Sequence, residues 1–94
     1  MSRRLTSFAA FDALLAEARI EVAAMARAEP DDREIRSVDL QLTALHAWTR
    51  NGRCPSQAEK DQLNFGLIAS RALDTFPVAA SLYALASHVT YWDA

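Results

Sequence analysis

The sequence contains little that would commit it to a particular chemistry. Its one cysteine, Cys54, cannot form a disulfide within the chain, and a reducing cytosol is the simplest compartment consistent with that. Cys54 also lacks the neighbouring base that nucleophilic catalysis needs. The two glycines form no phosphate-cradling loop. The two histidines, His46 and His88, occur in no His-x-x-x-His or Glu-x-x-His spacing, and there is no Cys-x-x-Cys. No metal and no cofactor are therefore expected. Twelve acids against ten bases leave no basic footprint for nucleic acid, and the Arg3-Arg4 pair reads as a solvated terminus. No apolar run approaches a membrane span, and Asp12 and Glu17 interrupt the apolar stretch a secretory signal would require. The expectation is a cytoplasmic protein that engages neither nucleic acid nor membrane.

What the chain does hold is apolar periodicity. Residues spaced alternately three and four apart fall on one side of an α-helix. Phe8, Phe11, Leu15, Ala18, Val22 and Met25 form a first stripe, and Ile35, Val38, Leu42, Leu45 and Thr49 a second. Leu63, Leu67, Ser70 and Leu73 form a third, widened by Phe65, Ile68 and Ala72. Val78, Leu82, Leu85, Val89 and Trp92 form a fourth. With 94 residues, 51% of them apolar, the chain is sized for one domain, residues 1–94, with a modest core. The fold class expected is all-α: a small antiparallel four-helix bundle.

Local signals place the helix ends. Thr6 or Ser7 can cap a first helix that Glu29-Pro30 terminates near Ala28. Asp31 or Asp32 can cap a second helix from Arg33 to Arg50, and Asn51-Gly52 closes it. A start nearer Ser37 is the alternative. Ser56 and Glu59 match a capping box, which predicts a third helix from Gln57 to about Asp74. Gly66 inside it implies that a neighbouring helix, or a partner, comes close. Asp74 or Thr75 can cap a fourth helix from Pro77, a residue suited to a first helical turn, to about Tyr91.

The stripe positions are almost all apolar, so no inward constellation of acids and bases is expected, and function is expected on the surface. Tyr83, Tyr91 and Trp92 gather near the end of the sequence, and Trp48 sits one step off the second stripe. Such residues either finish a small core or anchor a partner.

Taken in order, the long first helix ending at Glu29-Pro30, the Gln41-Leu42 pair followed by Leu45, and the segment Leu63-Asn64-Phe65-Gly66-Leu67-Ile68-Ala69 form a pattern. Asp74, Pro77 and the Tyr91-Trp92 end complete it. The chain resembles, over nearly all its length, the small helical immunity proteins of bacterial type VI secretion that neutralise an NAD(P)-hydrolysing effector toxin. The resemblance implies a bundle that binds its cognate toxin, an NAD(P) glycohydrolase, in the cytoplasm of the producing cell and occludes the toxin's active site. It implies no catalytic residues in this chain. Contact candidates come from surface chemistry instead. Glu29, Asp31, Asp32 and Glu34 are a rim for a basic toxin face, and Trp48, Tyr83, Tyr91 and Trp92 are anchors. The alternatives are a non-catalytic helical adaptor or homodimer without a toxin partner, and a small helical enzyme.

Overall fold

A computed structural model describes residues 5–93. Arg3 and Arg4 lie outside them. Five α-helices follow one another: α1 (Phe8–Ala28), α2 (Arg33–Trp48), a single turn α3 (Gln57–Lys60), α4 (Phe65–Ala72) and α5 (Val78–Thr90). A 3₁₀ turn, Arg50–Gly52, follows α2, and no strand occurs among the described residues. None of these helices is long and apolar enough to cross a membrane.

The first two helices start where short side-chain oxygens can reach a free backbone N–H. Ser7 Oγ accepts from Ala10 N at 3.1 Å and Asp32 Oδ1 from Ile35 N at 3.0 Å. Asn51 and Gly52, at φ 62° and 82°, turn the chain out of α2. The Arg53 guanidinium then ties that exit to α3. It donates to the Trp48 carbonyl at 2.8 Å and meets the Glu59 carboxylate at 2.9 Å. Ser56 and Glu59 form the expected reciprocal cap.

The third helix departs from expectation. It does not run from Gln57 to Asp74 but divides into α3 and α4, with residues 61–64 between them. A side chain from α2 is the physical reason. Gln41 Oε1 accepts the Asn64 N–H at 2.7 Å, and Gln41 Nε2 donates to Asn64 Oδ1 at 2.6 Å. The amide thereby supplies the bond a continuous helix would have made at Asn64. The third stripe loses its phase across this break. Phe65, Ile68, Ala69 and Leu73 are buried, whereas Ser70 and Ala72 are exposed and Leu67 is 52% exposed. The fourth helix is also corrected at its start. Pro77 precedes α5 with helical angles, no side chain caps the helix, and the Asp74 carboxylate instead accepts from Tyr83 Oη at 2.8 Å.

α1 packs on α2 and α5, and α4 packs on α5 and α2, so four helices close around one core. That core is apolar. Phe11, Leu15, Leu42, Leu45, Phe65, Leu82 and Leu85 are essentially inaccessible, and Thr49 is the buried polar residue among those described. Its hydroxyl donates to the Leu45 carbonyl at 2.8 Å. Gly66 allows α4 to meet α5, because a Cβ there would stand 2.8 Å from Ala86 Cβ. The close approach that the glycine implied is therefore made by a neighbouring helix.

Candidate functional site

α1 and α5 run antiparallel, which brings the start of one beside the end of the other. Four aromatic rings meet there. His88 stacks on Phe11 with centroids 4.8 Å apart and planes 23° apart. Trp92 stands edge-on to both, 5.3 Å from Phe11 and 5.2 Å from His88, and lies 6.0 Å from Phe8. His88 lies in the last turn of α5 and Trp92 two residues past its end, where the chain folds the indole back against the imidazole. The Trp92 carbonyl accepts from Lys60 Nζ and, at 3.4 Å, from Cys54 Sγ. Both the ring and the backbone of Trp92 are thus held in place.

An open cleft of about 710 Å³ lies over this cluster. Its walls are the segment Leu5–Phe8 that leads into α1, Gly52 from the turn after α2, the α5 residues Tyr83, Ser87 and His88, and Tyr91 and Trp92 just past the end of α5. Tyr91 is 81% exposed at the rim. Burial lowers the His88 pKa from its ordinary 6.5, with the Leu5 backbone pulling it up. His88 is therefore predominantly neutral at pH 7. The Tyr83 pKa is raised above the ordinary phenol value because its hydroxyl donates to Asp74, with burial adding to the effect. Both rings face the cleft uncharged, as large apolar surfaces with polar edges.

The eight residues suggested by surface chemistry do not share one surface. Tyr83, Tyr91 and Trp92 come together in the cleft wall. Trp48 lies at the same end of the bundle, beyond the cleft, half-buried with its carbonyl engaged by Arg53. Glu29, Asp31, Asp32 and Glu34 are all exposed at the α1–α2 junction. That junction is the far end of α1, roughly 30 Å away at the helical rise. The junction also uses Asp32 as the α2 cap. Sequence reasoning missed Phe8 and His88 as cleft residues. The i, i+4 spacing of His88 and Trp92 was the available signal.

No three His, Cys, Asp or Glu side chains among the described residues are grouped to hold a metal ion. No family model, curated protein or solved structure matches this chain.

Proposed function

We propose that this chain is an immunity-type antitoxin: a cytoplasmic helical module that acts by binding a cognate secreted toxin, an NAD(P) glycohydrolase, and covering its active site. The class of toxin rests on the sequence resemblance alone. The observation that supports binding as the mode of action is the cleft, where exposed Tyr91 stands beside Trp92, whose ring packs against Phe8, Phe11 and His88. Fixed aromatic side chains supply contact area at small ordering cost, which is the usual make-up of interface anchors. The acidic junction lies at the other end of α1 and serves, in this reading, to speed encounter with a basic partner rather than to seat it.

The test is co-expression in a bacterial host with the open reading frame beside this gene, with cell viability and total NAD(P) as readouts. Expected is a neighbour that kills and depletes NAD(P) alone and does neither with this protein present. A harmless neighbour, or one that still kills, ends the proposal.

A further inference from the structure

α1 has a second apolar face that no other described element covers. Phe11, Leu14, Leu15, Ala18 and Val22 point into the core. Half a turn away, Ala9, Ala13, Ala16, Ile20 and Ala24 are exposed, and Ile20 at the centre is 73% exposed. A helix with one buried face ordinarily offers charged residues on the opposite one. Here Asp12, Glu17 and Glu21 are displaced to the flanks and Arg19 is only partly exposed, so the face stays apolar from Ala9 to Ala24 until Arg27 ends it. Among the described residues the ion pair is Arg53–Glu59, and neither Asp12 nor Arg19 forms an ion pair with another described residue.

Alanines alone specify no partner, but Ile20 and the flanking charges do. We infer that the outer face of α1 pairs antiparallel with α1 of a second copy, setting Ile20 over Ala9 of that copy and Asp12 against its Arg19. Ala9, Ala13, Ala16 and Ile20 recur at steps of four, three and four, the spacing of a helix–helix seam. In the antiparallel register that sets Ala13 opposite the second copy's Ala16, the flanking positions bring each Asp12 to the other copy's Arg19, twice by symmetry. Parallel pairing would set Asp12 against Glu17. Sliding the antiparallel pair by one heptad would set Glu17 against Glu17 and Arg19 against Arg19. Of these three arrangements, only the first sets Asp12 and Arg19 against opposite charges and keeps Asp12, Glu17 and Arg19 from meeting like ones. The alanines let the two backbones approach closely, and each Ile20 covers the first turn of the opposite helix. One helix face of about four turns is a small interface, below about 1,200 Å², the size class of weak and transient pairs, so the dimer is reversible.

Sedimentation velocity on the full chain, from low micromolar to near-millimolar concentration, tests this. Expected is a monomer–dimer equilibrium that Ile20→Glu abolishes while the far-UV circular dichroism stays unchanged. Asp12→Arg and Arg19→Asp should each weaken the dimer by about tenfold, by converting both attractive pairs to repulsive ones. Mixing the two single variants in equal amounts should restore it, because each then supplies the charge the other lacks. A monomer at every concentration overturns the inference. So does a dimer indifferent to Ile20→Glu, or single variants that fail to rescue each other. Toxin neutralisation at the cleft is read separately and stands or falls on its own.

Discussion

Gly66 sets how closely α4 and α5 can approach. Gly66→Ala would gain up to about 1 kcal/mol of helix propensity. It would also press a methyl group against Ala86 Cβ at 2.8 Å, inside any real contact distance. Overpacking of that kind costs about 1–3 kcal/mol, so the substitution should destabilise by about 1 kcal/mol net. Urea unfolding of Gly66→Ala, Ala86→Gly and the double variant measures the coupling, and a favourable coupling between the two is expected. His88 gives a prediction in pH. Its folded pKa lies below the unfolded 6.5, so below that pH the unfolded chain binds more protons. The stability that neutral His88 contributes is therefore fully present above pH 6.5 and is lost progressively as pH falls from there to the folded value. Melting temperatures at about pH 7.5 and about pH 5.5 should show the loss, and His88→Phe should reduce it. Gly66 is marked in the sequence as a glycine inside a helical stretch, whereas nothing in the sequence sets His88 apart. Only the helix packed against each one makes it consequential.

Helix starts were legible where the capping group is local. Ser7, Asp32 and the Ser56–Glu59 pair each bond a backbone group three residues away, and each performs as its sequence context implied. The break before α4 was not legible, because the group that makes it, Gln41, is 23 positions from Asn64. The same holds at α5. Asp74 looks like a cap in sequence, yet its carboxylate is taken by Tyr83 nine positions on. The third apolar stripe was misread for the same reason, since a helical phase cannot be carried across a break that a distant side chain imposes. Gln41→Ala removes both bonds to Asn64. These groups are solvent-exposed, so water replaces part of the loss and about 1 kcal/mol is expected. Hydrogen exchange should accelerate first at the amides that open α4, while the middle of α1 keeps its protection.

Across the whole molecule, acidic and aromatic features are divided between opposite ends of α1. The aromatic end could be named from the sequence because Tyr83, Tyr91 and Trp92 lie close together along the chain. Their companions Phe8 and Phe11 could not, because folding alone brings α1 to them. Under the proposed antitoxin role, a two-ended arrangement predicts separable effects on toxin binding. Tyr91→Ala alters an 81%-exposed side chain, so stability should change by less than about 0.5 kcal/mol. Affinity for the proposed toxin partner should fall by about tenfold or more, as measured by isothermal calorimetry. Replacing Glu29, Asp31 and Glu34 with glutamine should slow association, mainly at low salt, and leave the dissociation rate near wild type. Surface plasmon resonance across a salt series checks this.

Trp92 stands edge-on to His88 at 5.2 Å, and Trp48 lies elsewhere at that end of the bundle. A protonated imidazole draws electrons from an excited indole, so the emission of Trp92 follows the charge on its neighbour. In a Trp48→Phe background the protein carries its own optical gauge. Dimming on acidification reports the imidazole, and a shift in colour on adding a partner reports that water has left the indole.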